Sequence, residues 1–156
     1  MDDASGGSYG DDGLRLDQQV CFALYAASRA ATAAYRPLLE RLGVTYPQYL
    51  VMLVLWERGP ARVKELGAEL RLDYGTLSPL LKRLEGLGLV RRERAPEDER
   101  SVRVGLTAEG EALRARALDV PRELLRASGL TPEGAAGLRD ELRRLADRLA
   151  ETVPGV

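Results

Sequence analysis

Histidine is absent from this chain of 156 residues, and cysteine occurs once, at Cys21. Without histidine there is no His-based catalytic triad and no zinc site of mixed cysteine and histidine ligands. One thiol cannot close an internal disulfide, which excludes a disulfide framework. Aromatic residues are sparse, 5% of the chain, with one phenylalanine and one tryptophan against six tyrosines. No apolar run approaches the roughly 18–20 residues of a membrane span. An excess of one charge is lacking too, since the formal net charge is −1. Neither a metal, nor a cofactor, nor a membrane partner is expected from this inventory.

What is present suits one domain of ordinary size, or a symmetric oligomer of such domains. Hydrophobic residues make up 45% of the chain, enough for a core, and charged residues 30%. The charges are unevenly spread. Residues 1–13, "MDDASGGSYGDDG", carry four aspartates and no basic residue. They lack the basic-then-apolar plan of a signal peptide and read as a disordered acidic tail on a cytoplasmic protein. Residues 62–103 carry ten Lys/Arg against eight Asp/Glu, so a nucleic-acid site there must be a local patch.

From Leu14 to Leu42 the pattern is helical, with Asp17 a candidate N-cap and Pro37 placed to kink or interrupt the helix. "GVTYPQYLVMLVLWERG" reads as a short buried helix, capped by Thr45, tolerant of Pro47 in its first turn and ended by Gly59-Pro60. Two helices around a tight turn follow. The first spans about Val63–Leu70; the second is capped by Asp73 and closes at Gly88. Leu77, Leu80, Leu84 and Leu87 share one face of the second helix. The opposite face carries Gly75, Pro79, Lys82 and Gly86, flanked by Ser78 and Arg83. That is the plan of a helix-turn-helix.

After Gly88, "LVRRER" and "SVRVGL" read as two strands joined by a charged loop, "APEDER". Thr107 can cap a helix running to about Ala127. Thr131-Pro132 opens a last helix with a stripe of Leu138, Leu142, Leu145 and Leu149. The fold class is therefore mainly α with a small β-hairpin wing: a winged helix-turn-helix over residues 45–107, with helices at both chain ends, residues 14–44 and 108–152.

Four stretches in order, "CFALYAASR", "YRPLLERLGVTYPQYLVMLVLWE", "LDYGTLSPLLKRLE" and "EDERSVRVGLT", carry a family likeness. The chain resembles the MarR family of winged-helix regulators over about Leu16 to Leu149, and within it the single-cysteine branch that senses organic hydroperoxides. The resemblance implies a homodimer, formed through the end helices, that binds a palindromic operator in double-stranded DNA. It implies that Cys21 is the peroxide-reactive thiol, with Tyr25, Tyr35 and Tyr46 around it. By the same likeness Gly75 to Arg83, including Thr76, Ser78, Pro79 and Lys82, forms the reading helix, and Asp98 with Arg100 the wing pair that offers an arginine to the minor groove. At Tyr74 the chain departs from this pattern, because that branch usually has a small polar residue there.

The chemistry is consistent with that implication. A hydroperoxide is attacked by thiolate, giving a sulfenic acid, and the positive end of a helix dipole favours thiolate. Tyr25, four residues beyond Cys21, lies on the same helical face. Tyr35 is about 21 Å further along a straight helix, within reach only of the cysteine of an antiparallel partner. With no second cysteine, an oxidised Cys21 must turn to an external small thiol, a backbone nitrogen, a partner's Cys21, or further oxidation. Plainer readings stand beside these: a free cysteine and a tyrosine cluster are commonly core packing, and a basic helical face is commonly just solvated. Two other functions compete, a MarR-type repressor released by a small aromatic or phenolic ligand, and a one-cysteine thiol peroxidase. The second lacks the Pro-and-Thr loop of peroxiredoxins, because "LDQQV" precedes Cys21.

Overall fold

The computed structural model describes residues 11–153. Residues 1–10, most of the acidic tail, lie outside the described residues. Two short 3-10 turns, Asp11–Leu14 and Leu16–Gln18, lead into α1 (Val20–Glu40). The helix thus starts later than the apolar pattern suggested, and Asp17 does not cap it. The Asp17 carboxylate is held by the Arg15 guanidinium at 2.9 Å. Gln19 takes the N-cap position, and its side-chain amide turns back to donate to the carbonyls of Gly13 and Arg15. Pro37 does not interrupt α1 either. It leaves the Ala33 carbonyl without its helical N–H donor, and the helix nonetheless runs on to Glu40.

The next helix, α2 (Tyr46–Arg58), begins as its sequence indicates. Thr45 Oγ1 accepts the Gln48 N–H at 3.4 Å, and Gln48 Oε1 accepts the Thr45 N–H at 2.9 Å, a reciprocal capping box. It ends at Gly59, whose φ of +77° few other residues adopt readily. Tyr49, Val51, Met52, Val54 and Leu55 are buried around most of its circumference, which makes α2 the axis of the core.

Helices α3 (Val63–Leu70) and α4 (Tyr74–Gly86) form the helix-turn-helix. Leu66, Leu77, Leu81 and Leu84 seal it against α2 with at most 1% of their surface exposed. Leu87, expected on that core face, is instead 51% exposed. The helix stops at Gly86, and Gly88 (φ +73°) turns the chain into the sheet, so no core lies under Leu87.

Strands β2 (Val90–Ala95) and β3 (Asp98–Leu106) make the wing. The six-residue loop expected between them is a two-residue turn, Pro96–Glu97. Arg94 pairs with Val102 and Ala95 with Asp98, so residues 99–101 bulge from β3. A short strand the sequence did not announce, β1 (Ala61–Arg62), adds to the other edge of β3, giving the antiparallel order β1-β3-β2.

The helix expected from Thr107 to Ala127 is two, α5 (Ala108–Ala117) and α6 (Val120–Ser128). Pro121 has no N–H for the Ala117 carbonyl, and its ring crowds that carbonyl, so the helix breaks. The first turn of α5 lies on the root of the wing. A Cβ on Gly110 would come within 2.1 Å of the Leu89 carbonyl oxygen, and Trp56 Nε1 donates to the Gly110 carbonyl at 2.9 Å. Helix α7 (Pro132–Glu151) starts at Thr131, which accepts from Gly134 N at 3.1 Å. Between them, the two longest helices, α1 and α7, bury one residue, Leu39.

Candidate functional site

Two sets of side chains stand out from this frame, one on α4 and the wing, the other on α1 and α2. Helix α4 opens with Asp73, whose carboxylate accepts from Thr76 N at 2.8 Å and from Thr76 Oγ1 at 3.1 Å. The Thr76 backbone and then side-chain hydrogen bonds hold the Asp73 carboxyl below its usual range. Gly75, Thr76, Pro79, Lys82 and Arg83 are exposed along one side, with Ser78 half-buried. Pro79 cannot donate to the Gly75 carbonyl, which leaves that acceptor free on the outer face. Glu85 on the same side is occupied: it takes the Arg92 backbone N–H at 3.0 Å and the Arg92 guanidinium at 3.1 Å. These contacts hold its carboxyl below the usual range. The Glu85 carboxylate is thereby paired with the wing, while Lys82 and Arg83 stay exposed on α4.

In the wing, Asp98 Oδ1 accepts the backbone N–H of Arg100 at 3.0 Å, pinning the bulge and leaving the Arg100 guanidinium exposed. Between α3, α4 and β3 lies an open cleft of about 560 Å³, with Lys64, Tyr74, Ser78, Arg92, Arg100 and Ser101 among its lining. Of the reading-helix and wing residues singled out from sequence, Ser78 and Arg100 line this cleft, while Gly75, Thr76, Pro79, Lys82, Arg83 and Asp98 do not.

Cys21 is the second residue of α1 and is exposed. Val20 and Phe22 beside it are exposed as well. One turn on, the Tyr25 hydroxyl accepts from Arg29 Nη1 at 3.0 Å, with the guanidinium 5.6 Å from the ring centre. Arginine only donates, so the hydroxyl proton of Tyr25 stays free for another acceptor. Tyr35 and Tyr46 are not brought to this thiol within the chain. Helix α1 is unbroken between Cys21 and Tyr35, a separation of about 21 Å. There Tyr35 packs on Tyr46, with ring centres 4.6 Å apart, and on Tyr49 at 5.9 Å; Trp56 lies 6.4 Å beyond Tyr49.

Tyr49 was not singled out from sequence. Its place in an apolar helix reads as core, and only the crossing of α1 over α2 sets it beside Tyr35. Burial, and then the neighbouring phenols, push Tyr35 up to about 12. Burial raises Tyr46 and Tyr49 too. These hydroxyls stay protonated through the physiological range and can donate a hydrogen bond without adding charge.

The outer stripe of α7 is uncovered, with Leu138, Leu142 and Leu149 between 38% and 48% exposed. An ion pair between Arg71 and Asp147 ties α7 to the helix-turn-helix. Among the described residues no cluster of His, Cys, Asp or Glu could hold a metal ion, and no helix is long and apolar enough to cross a membrane.

Comparison with known proteins places likenesses on both parts. The model of the MarR family matches residues 44–102, from the start of α2 into β3. The organic hydroperoxide resistance transcriptional regulator of Bacillus subtilis (strain 168) is 46% identical over 138 residues, 88% of this chain and 94% of its own. Among solved structures, reduced AbfR bound to DNA, from Staphylococcus epidermidis, has a TM-score of 0.74 at 35% identity, covering 88% of this chain and 96% of that one. Overoxidised AbfR bound to DNA has a TM-score of 0.72 at 36% identity, covering 88% and 97%.

Proposed function

This chain belongs to the MarR family and is a DNA-binding transcriptional regulator, and on that premise we propose that it is a homodimeric repressor that senses organic hydroperoxides through Cys21. The observation that carries the reading is the setting of the sole thiol. It is exposed at the start of α1, beside a tyrosine whose hydroxyl proton is free to donate. The likeness to the Bacillus subtilis hydroperoxide-resistance regulator supports it. The relatives are regulators rather than enzymes, which removes the thiol peroxidase reading.

In the proposed reaction the Cys21 thiolate attacks the terminal oxygen of a hydroperoxide. A sulfur–oxygen bond forms, the oxygen–oxygen bond breaks, and the departing alkoxide takes up a proton to leave as an alcohol. Cys21 is left as a sulfenic acid. Tyr25, with Tyr35 and Tyr46 of the partner subunit, hydrogen-bonds the sulfur without changing the charge. The uncovered faces of α1 and α7 supply the two-fold contact that this arrangement needs.

Release of DNA requires an oxidised form that favours a different shape. A sulfenic acid adds one oxygen, which a tyrosine hydrogen bond can absorb. A mixed disulfide with a small thiol adds far more bulk and displaces the tyrosines. Tyr46 is the first residue of α2, which leads through β1 into α3 and α4. Moving it shifts the two reading heads, which must lie about 34 Å apart to read a palindrome. That AbfR has been seen overoxidised and bound to DNA agrees with bulk, rather than added oxygen, as the trigger.

The test is operator binding by reduced protein, by protein treated with an organic hydroperoxide, and by protein treated with hydroperoxide plus a small thiol. The expected result is little loss with peroxide alone and reversible loss with both. Cys21→Ser protein should stay bound throughout. A Cys21→Ser protein that still lets go on peroxide treatment would sink the sensor assignment and favour release by a small ligand.

A further inference from the structure

Tyr74 is 72% exposed at the first position of α4, an unusual place for a large aromatic residue on a protein with so few. Among the described residues little covers it, and its hydroxyl has no hydrogen-bond partner. We infer that Tyr74 is a specificity-determining residue, its ring packing against the 5-methyl group of a thymine in the major groove.

Three features favour a base over the alternatives. Lys64 and Arg100 border the cleft that Tyr74 also lines, and Lys82 and Arg83 follow on the exposed side of α4, so the surroundings suit a polyanion. Phosphate is disfavoured at this spot itself, because the exposed Asp73 carboxylate, fixed at the helix start by hydrogen bonds from Thr76, lies beside Tyr74. The residue after Tyr74 presents no side chain: a Cβ on Gly75 would lie 3.1 Å from Asp73 Oδ1. The tyrosine ring is therefore the apolar group at the leading end of the helix. Among base edges in the major groove, the thymine methyl is the apolar one.

The inference rests on α4 being the reading helix, and the test separates the two. Operator DNA selected from random sequence by the reduced, full-length protein is resynthesised with uracil in place of thymine, one symmetric pair at a time. Uracil keeps every hydrogen-bonding group of thymine and lacks only the methyl. At one pair of positions the wild-type protein should lose about fourfold in affinity per half-site, the worth of one buried methyl group. Tyr74→Phe should keep this preference, and Tyr74→Ser should bind both DNAs alike, with circular dichroism unchanged. Indifference of the wild type to uracil at every position would overturn the inference, as would a thymine preference that survives in Tyr74→Ser. Loss of the preference in Tyr74→Phe would overturn it too, pointing to the hydroxyl. Lys82→Ala is the control. If it weakens binding while Tyr74→Ser changes nothing, the inference alone fails; if neither matters, α4 is not the reading helix.

Discussion

Tyr35 bears on the stability of the protein and, in the proposed site, on the thiol chemistry as well. Its phenol is pushed up to about 12 by burial, against about 10 in an unfolded chain. Between those values the folded state keeps a proton that the unfolded state has lost, so stability falls as pH rises through the window. Below pH 10 both states are protonated and no penalty exists. Melting temperatures measured from pH 9 to pH 12 should therefore drop less steeply in Tyr35→Phe than in the wild type. At neutral pH the same substitution removes a hydroxyl proposed to reach Cys21 of the partner subunit. Oxidation by an organic hydroperoxide, followed by stopped flow or mass spectrometry, should slow while the fold is retained. An unchanged rate would remove Tyr35 from the site.

At the scale of elements, the reading unit is held by a few close approaches between segments far apart in sequence. The meeting of α5 with the wing at Gly110 and Leu89 is one. Gly110→Ala forces a methyl into the Leu89 carbonyl and should cost about 1–3 kcal/mol, measurable by urea unfolding. Because Trp56 donates to the Gly110 carbonyl, its fluorescence should report the same shift. The bulge of β3 is a local device by contrast: Asp98 fixes the backbone of Arg100, two residues on, and leaves its side chain to reach outward. Arg100→Ala should weaken operator binding with the melting temperature unchanged. Lys82→Ala should also make affinity less dependent on salt, since every phosphate the protein ceases to neutralise lowers the slope by about 0.9. A salt slope equal to the wild type would mean that Lys82 touches no phosphate.

As a whole molecule, one chain leaves its two longest helices almost without a core. Helix α7 buries none of its residues, and its leucine stripe lies open. Two copies packed through α1 and α7 would cover those faces and bring the tyrosine cluster of one to the thiol of the other. Sedimentation at micromolar concentration should return a dimer. Leu138→Glu combined with Leu142→Glu should raise the dimer dissociation constant roughly a hundredfold or more, from ~1.5–3 kcal/mol per buried leucine. The core around α2 should be untouched, because neither leucine belongs to it. A wild-type protein that sediments as a monomer would end the dimer reading.

What the sequence determined by itself was local. The caps at Thr45, Asp73, Thr107 and Thr131, the bounds of α3 and the stop at Gly59 depend on residues within a turn of one another, and each stands where the sequence put it. The winged architecture was legible for the same reason, as a string of such local signals in a familiar order. The tertiary structure decided what rests on residues distant along the chain. Two residues at Ala61–Arg62 become a strand only because β3 offers an edge, and the wing turn shrinks to Pro96–Glu97 because pairing extends into the expected loop. Tyr49 joins Tyr35 only where α1 crosses α2. Glu85 is silenced by Arg92 only because the wing folds back on α4. Neither hydrophobic periodicity nor turn chemistry encodes such meetings, since their energy comes from surfaces that exist only once the elements have packed.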